Sequence, residues 1–170
     1  MSIQLIIDGY NFIGFHKGLS KKLEAQRNQL ISTLGSYRQN KNFPICVVFD
    51  GWKDGELHEH FEIKNGIEVV YSRLGEKADQ VIIRFIKRLK EQCVVVSSDR
   101  EIRDCAHQYK STALTVQEFK SKLDQMSSGF SDGMGKDEEE DKMPSFGKKS
   151  GNPNKLPKRE RTKQNKLKKL

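Results

Sequence analysis

The stretch LIIDGYNFIG, from Leu5 to Gly14, contains an apolar run that stops abruptly at an acid. The fold class is inferred from the way this pattern recurs along the chain. Residues Ile3 to Ile7 predict a buried strand, and Asp8 with Gly9 forms a dipeptide that is typical of turns. Two interpretations of Asp8 follow. Its carboxylate either shapes a turn or is held at the end of a strand to do chemistry, and only the rest of the sequence can decide between them.

Similar apolar runs recur along the chain, with helical patterns between them. The runs PICVVFD, GIEVVYS and CVVVSSD predict three more strands, and Thr112 to Leu114 predicts a short fifth one. Helical spacing of apolar residues follows Ser20, Ala78, Asp99 and Thr115. Strands that alternate with helices and carry continuous apolar runs predict an α/β fold around a mostly parallel sheet of four to five strands.

Two helix starts carry capping boxes, in which a hydroxyl and a glutamate three residues later satisfy each other's backbone amides. The pairs are Ser98 with Glu101 and Thr115 with Glu118. The segment His58-Glu59-His60 is interpreted as part of a solvated, charged loop, because a metal site would require further ligands nearby.

The C-terminal part of the chain has a different composition from the rest. We expect a folded domain over residues 1–126 and a disordered tail over 127–170, which is rich in Gly, Ser, Pro and charge. The tail has an acidic block at 137–141, and residues 142–170 then carry 11 Lys and Arg against one acid. The tail is either a solvated polyampholyte or a basic arm for nucleic acid, with Lys158, Arg159 and Arg161 as candidate RNA-binding residues.

Cysteine usage and hydropathy favour the cytoplasm. The three cysteines are widely spaced within apolar patterns, which predicts core thiols rather than disulfides or a zinc site. No signal peptide and no run long enough to span a bilayer is visible, so no membrane association is expected.

Four aspartates follow the predicted strands: Asp8, Asp50 and Asp99 come after strands, and Asp79 lies in the first turn of a helix. Each alone has a structural explanation, since Asp-Gly favours turns and a first helical turn favours an anion. A parallel sheet, however, brings all four to the same edge, where such folds place their sites.

Carboxylates gathered in this way repel one another, and a divalent cation relieves the conflict. Carboxylate oxygens without His or Cys partners suit Mg²⁺ or Mn²⁺, which can activate water against a phosphodiester. Asn11 would hold a metal-bound water or a phosphate through its amide, or it is an ordinary loop residue. Arg84, Lys87 and Arg88 lie opposite the apolar stripe of their helix and are candidate RNA-binding residues.

Other phosphate-binding classes are excluded by missing residues. Gly9 and Gly14 have the spacing of a nucleotide-binding loop, but Phe15-His16 stand where Lys and Ser or Thr are needed. A phosphatase with an aspartyl nucleophile usually has a second acid two residues on, and Tyr10 occupies that position.

Together the motifs IIDGYNFI, VVFDG, EVVYSRLGEKADQVI and VVVSSDREI resemble the YacP-like NYN family, a branch of the PIN-like nucleases. The resemblance covers residues 1–123 and leaves the tail outside. It implies a PIN-like three-layer α/β/α fold, metal-dependent RNA cleavage and an acidic site. The family's aspartates fall on Asp8, Asp50, Asp79 and Asp99, its asparagine falls on Asn11, and its E-x-A-D glutamate falls on Glu76, followed by Lys77 in place of a small hydroxyl residue.

These observations predict a metal-dependent endoribonuclease that cleaves single-stranded or locally unpaired RNA. The sequence does not distinguish mRNA, tRNA or rRNA as the substrate, and the ribosome is a further candidate partner. The alternative is a non-catalytic RNA-binding or ribosome-associated module with the same fold and a basic tail. Loss of an acid would have indicated that module, and all four acids are present.

Overall fold

A computed structural model of the chain describes residues 3–14, 23–41, 43–51, 58–128 and 158–169. The strands in these ranges are β1 (Gln4–Asp8), β2 (Ile45–Phe49), β3 (His60–Lys64), β4 (Ile67–Tyr71), β5 (Cys93–Val96) and β6 (Thr112–Leu114). The helices are α1 (Gly9–Ile13), α2 (Leu23–Asn40), α3 (Ala78–Leu89), α4 (Arg100–Gln108), α5 (Val116–Ser128) and α6 (Lys158–Lys169). Within those ranges, no helix has the length and apolar character needed to cross a membrane.

All six strands form one sheet in the order β3-β4-β2-β1-β5-β6. Every neighbouring pair is parallel except β3 with β4, which is antiparallel. The first strand lies near the middle, where Ile6 pairs with Cys46 of β2 on one side and with Val95 of β5 on the other. The carboxyl ends of β1, β2, β4, β5 and β6 therefore lie along one edge of the sheet, which we call the carboxyl edge.

Helices cover both faces of the sheet and give the three-layer α/β/α arrangement that the sequence predicts. On one face α1, α2 and α5 bury Phe12, Leu34 and Phe119 against the sheet. On the other face α3 and α4 bury Ile82 and Ile102. The apolar runs form strands because both of their faces have a core to bury them.

The sheet has one strand more than the four to five expected, since β3 forms where the sequence analysis placed a charged loop. This edge strand gives no buried signal, because Phe61 is 52% exposed and Ile63 is 80% exposed. Asn65 and Gly66 both have positive φ in the turn that joins β3 to β4. The Asn-Gly dipeptide is the strongest short-range hairpin signal, and it would have predicted this strand.

One predicted capping box is correct and the other is wrong. The Thr115 hydroxyl accepts the Glu118 amide at 3.2 Å, and the Glu118 carboxylate accepts the Thr115 amide at 2.8 Å. At the start of α4, however, the cap is Asp99, whose Oδ1 accepts the amides of Glu101 and Ile102. Ser98 is exposed, and its amide donates to Asn11 Oδ1 instead of to the Glu101 carboxylate.

Part of the segment that was expected to be disordered is helical. Helix α6 contacts the folded domain through Lys163, whose Nζ lies 2.6 Å from Glu118 Oε1, and through Lys166, whose Nζ donates to the Glu91 carbonyl at 2.6 Å. Residues 129–157, including the acidic block at 137–141, lie outside the described residues. The domain boundary at 126 stays a prediction, and α5 runs two residues past it.

Candidate active site at the carboxyl edge of the sheet

The four predicted aspartates come from four places in the fold and lie at the carboxyl edge. Asp8 is the last residue of β1, and Asp50 directly follows β2. Asp99 caps α4 just after β5, and Asp79 is the second residue of α3. The parallel sheet therefore gathers acids that are distant in sequence.

Asp8 shapes the chain as the cap of α1 and also lies among the acids, so its structural role leaves the chemical interpretation of LIIDGYNFIG open. Only 5% of it is exposed. Its Oδ1 accepts the Asn11 amide at 3.2 Å as the cap of α1, and its Oδ2 accepts the Ser97 hydroxyl at 3.1 Å. Burial raises the pKa of Asp8 to about 6, with further increases from Asp79 and Asp50, against the two hydrogen bonds.

Gly9 follows Asp8 because no side chain fits there. A Cβ at this position would lie 2.2 Å from the ring of Phe49, which is fully buried in β2. The chain can therefore turn from β1 into α1 close against β2, which holds Asp8 beside Asp50.

Asn11 braces the site from α1. Its Oδ1 accepts the Ser98 amide at 2.9 Å, so the carbonyl oxygen of its amide is already used by the loop between β5 and α4. The side-chain nitrogen of Asn11 is the group that can donate to a phosphate or a water in the way the sequence analysis expected.

Ser97 is a site residue that the sequence analysis missed. It is fully buried, and its hydroxyl donates to Asp8 and accepts the Asp99 amide at 3.1 Å. One hydroxyl therefore links two of the four acids. The available signal was its place in the run VSSD, directly after a predicted strand.

Asp50 is fixed to the start of α3. Its Oδ1 accepts the Ala78 amide at 2.5 Å. The Ser72 hydroxyl accepts the Gly51 amide at 3.1 Å and donates to the Glu76 carbonyl at 2.6 Å, which ties the loop before α3 to the end of β2. These bonds set the position of Asp79, which follows Ala78, relative to Asp50.

Asp79 lies among like charges. Its pKa is raised, first by burial and then by Asp99 and Asp50, while Lys77 lowers it. Among the described residues, no hydrogen-bond donor contacts its carboxylate. Both of its oxygens can therefore bind a cation.

The acids fit a hard divalent cation by chemistry, though they do not form a ready-made cage. No three His, Cys, Asp or Glu side chains in the described ranges are placed to hold one ion together. Mg²⁺ usually takes one or two carboxylates and completes its shell with waters and substrate phosphates. Asp79 and the second oxygens of Asp50 and Asp99 can supply that smaller number of ligands.

The predicted basic residues of α3 point to a different place. This helix runs away from the carboxyl edge, so Arg84 lies roughly 7 Å along it from Asp79 at 1.5 Å per residue. The Arg84 guanidinium forms ion pairs with Glu76 and Glu59. Lys87 and Arg88, further along, lie over the rings of Tyr109 and Phe85.

The candidate RNA-binding residues of the tail lie on α6. Arg161 is exposed there. The side chains of Lys158 and Arg159 are outside the described part of the structure, although their backbone belongs to the helix.

A cation that the sequence analysis missed lies on α2. The Arg27 guanidinium is 5.9 Å from the centre of the Tyr71 ring and hydrogen bonds to the Tyr10 hydroxyl. Tyr10 interacts electrostatically with Asp50, which places this group beside the acids. No local signal separates Arg27 from the other cations of the chain, because its neighbours come from β4 and α1.

Comparisons with known proteins agree with this architecture. The family model of the YacP-like NYN domain matches residues 5–169. The chain is similar to the crystal structure of Rae1 (YacP) from Bacillus subtilis, with a TM-score of 0.59 and 23% identity over 76% of this chain and 77% of that chain. A mutant of that protein gives a TM-score of 0.59 and 22% identity over 75% of this chain and 78% of that chain. A search of curated proteins found no match.

The family match also corrects the extent of the sequence resemblance. It continues past Leu123, where we expected the resemblance to end, and includes α6. The helical segment of the tail is therefore part of the matched region.

Proposed function

The chain belongs to the YacP-like NYN domain family, a family with a nuclease-like fold, and on that premise we propose that it is a metal-dependent endoribonuclease. It hydrolyses phosphodiester bonds of single-stranded or locally unpaired RNA at the carboxyl edge of the sheet. The observation that carries the proposal is that the fold gathers Asp8, Asp50, Asp79 and Asp99 at one edge of the sheet, close enough for electrostatic coupling between them.

This coupling has a cost that a structural role does not explain. Acids that only cap helices do not need to face one another. Burial raises the pKa of Asp8 to about 6, and repulsion from Asp79 and Asp50 adds to that increase. Clusters of titratable groups with shifted pKa values are typical of functional sites. A cation held among them removes the conflict, and it also brings a phosphate to the same place.

The metal would be Mg²⁺ or Mn²⁺, held by one or two of the carboxylates of Asp50, Asp79 and Asp99 and lying beside Asp8. It would supply positive charge to the scissile phosphate and lower the pKa of the attacking water. The chain itself positions the acids. The Ser97 hydroxyl and the backbone amide of Asn11 orient Asp8. The backbone amides of Ala78 and Glu101 orient Asp50 and Asp99. The side-chain amide nitrogen of Asn11 would donate to a phosphate oxygen.

Burial of the site favours an unpaired strand as substrate. Since Asp8 is only 5% exposed, a scissile phosphate must come deep into the edge, between the starts of α1, α3 and α4. A single strand can bend into such a place more readily than a duplex. The cations of α6, with Arg161 exposed and Lys158 and Arg159 in the same helix, would bind the RNA backbone away from the cut.

The experiment uses the full-length chain with labelled RNA, either unstructured or hairpin-forming, in Mg²⁺, in Mn²⁺ or in chelator. We expect endonucleolytic cuts in unpaired segments that require the ion, and loss of cleavage in Asp8→Asn. The matched control is Asp104→Asn, which makes the same chemical change at a carboxylate that is 70% exposed on α4. Cleavage that persists in chelator would contradict the metal requirement.

The alternative is a non-catalytic RNA-binding or ribosome-associated module. It becomes the better description if no RNA is cut with any divalent ion while the chain still binds RNA with wild-type affinity after Asp8→Asn. We favour catalysis because a binding module gains nothing from four acids that repel an RNA backbone.

A further inference from the structure

The acids of the carboxyl edge create a problem for any polyanionic substrate, because RNA approaching them is repelled before it can be bound. A cation fixed beside the acids would offset that repulsion. The basic residues of α3 do not supply it, since Arg84 is already paired with two glutamates. Arg27 of α2 is a cation that lies beside these acids.

Its position follows from the topology. Helix α2 connects the parallel strands β1 and β2, so it starts near the carboxyl edge and runs away from it. Arg27 is the fifth residue of α2 and lies about one turn from that start. It is half-buried, and so it is held rather than freely moving in solvent.

Three aromatic rings connect Arg27 to the ends of β1 and β2. Tyr71 carries the guanidinium over its face and stacks with Phe49 at 5.8 Å, and Phe49 directly precedes Asp50. Tyr10, two residues after Asp8, lies edge-on to the same Phe49 ring at 5.2 Å. The guanidinium is therefore oriented by a ring below it and a hydroxyl beside it.

Within the described residues, the guanidinium of Arg27 has N–H donors without an acceptor, and these indicate a ligand. A guanidinium has five N–H donors, and here the Tyr10 hydroxyl accepts from it. No carboxylate among the described residues pairs with Arg27, whereas Arg84 pairs with two and Arg73 with one. An arginine held over an aromatic ring with donors to spare is well suited to phosphate, which it binds with two parallel hydrogen bonds.

We propose that Arg27, held over Tyr71 and beside Tyr10, binds a backbone phosphate of the RNA next to the scissile one, on the β2 side of the acids. This inference rests on the proposed function for the identity of its ligand. It makes Arg27 a substrate-binding residue, and Tyr10 and Tyr71 the residues that position it.

The test measures RNA binding directly, in the full-length chain carrying Asp8→Asn so that turnover does not consume the probe. The probe is a fluorescently labelled single-stranded RNA of about 12 nucleotides, titrated at several salt concentrations. Arg27→Gln should weaken binding about tenfold and lower the slope of log affinity against log salt by about 0.7, the loss of one phosphate contact on a single strand. The matched control is Arg38→Gln, the same change at the other end of α2, where Arg38 lies against Gly66.

Thermal unfolding of each variant checks that α2 still packs on the sheet. If Arg27→Gln does not fold, Arg27→Lys replaces it, since lysine keeps the charge and loses the paired hydrogen bonds. That variant should keep the salt slope and bind about threefold more weakly. Affinity and slope equal to those of Arg38→Gln, or wild-type affinity in Arg27→Lys, would overturn the proposal.

The outcome is separable from that of the proposed function. A wild-type chain that cuts no RNA, combined with an Arg27→Gln variant that binds RNA more weakly, would remove catalysis and keep the phosphate contact. Cleavage by the wild type with unchanged binding by the Arg27 variants would keep catalysis and remove the phosphate contact.

Discussion

Glu76 and Asp79 are three residues apart, but Glu76 lies among cations and Asp79 lies among anions. Glu76 is 8% exposed, and its carboxylate meets the guanidinium groups of Arg84 and Arg73. Asp79 is half-buried beside Asp99 and Asp50, which raise its pKa. Within one short segment, therefore, one acid is neutralised by cationic partners and the other lies in a cluster of like charges.

The difference distinguishes an acid with a structural partner from the kind of acid that we propose binds a metal. A buried carboxylate paired with arginines holds the loop before α3, and through Arg84 it joins that loop to Glu59 ahead of β3. A carboxylate placed among other carboxylates lowers the stability of the metal-free chain. Position in the E-x-A-D element does not tell the two apart, but their partners do.

The largest expected effect is on catalysis by Asp79. Asp79→Asn should lower the turnover of RNA by about 10³-fold or more, because the site loses a carboxylate with both oxygens open to a cation. The unfolding temperature should stay the same or rise, since like-charge repulsion is relieved. Single-turnover cleavage and calorimetry on the same sample measure both. Substantial activity in this variant would place Asp79 with Glu76 as a structural acid.

Next in size is the effect of Asp8 on stability, which should depend on pH. A carboxyl whose pKa is raised on folding binds its proton more tightly in the folded chain, so its charged form lowers stability. This cost is absent below pH 3.8 and complete above about pH 6. In chelator, Asp8→Asn should therefore stabilise the chain at pH 7.5, by at most about 3 kcal/mol, and have little effect near pH 3.5.

Denaturant unfolding of Asp8→Asn and wild type at the two pH values checks this. Asp104→Asn is the control, because its carboxylate is 70% exposed. A stabilisation that does not change with pH would mean that Asp8 is not the group whose charge opposes folding.

Glu76→Gln should give the opposite pattern from Asp79→Asn. Removing the charge leaves Arg84 and Arg73 without their buried partner, which we expect to cost about 1–3 kcal/mol of stability. The folded variant should keep RNA cleavage within about tenfold of wild type, since the Glu76 carboxylate is directed to Arg84 and Arg73. Glu91→Gln, at a glutamate that is 70% exposed, is the matched control for stability. Loss of turnover without loss of stability would erase the distinction between the two acids.

The smallest effect is expected at Glu118, which, like Glu76, is paired with a cation. Lys163 of α6 and the Thr115 amide lower its pKa against the effect of partial burial. Lys163→Ala should release α6 and cost no more than about 1 kcal/mol, because this pair is partly exposed to solvent. Hydrogen exchange of residues 158–169 should rise while that of α5 stays constant. An unchanged α6 would mean that Lys166, through the Glu91 carbonyl, is enough to hold the helix.

Local patterns were sufficient for most of the sheet and for the list of acids. Each apolar run became a strand, and each aspartate after a strand reached the carboxyl edge, because strand direction and parallel pairing leave it no other place. The edge strand β3 was missed because its side chains are exposed, and the α4 cap was misassigned because Ser98 and Asp99 both suit that position.

The sequence by itself determined which residues are acids at strand ends, since that depends only on neighbours along the chain. The tertiary structure alone decided which charges have partners. Ser97 meets Asp8 across 89 positions of sequence, Arg84 meets Glu59 from another element, and Arg27 rests on Tyr71 across the sheet. Electrostatic energies fall off with distance in space and not along the chain. The difference between an acid with a cationic partner and an acid among like charges is therefore set only when the sheet and its helices have packed.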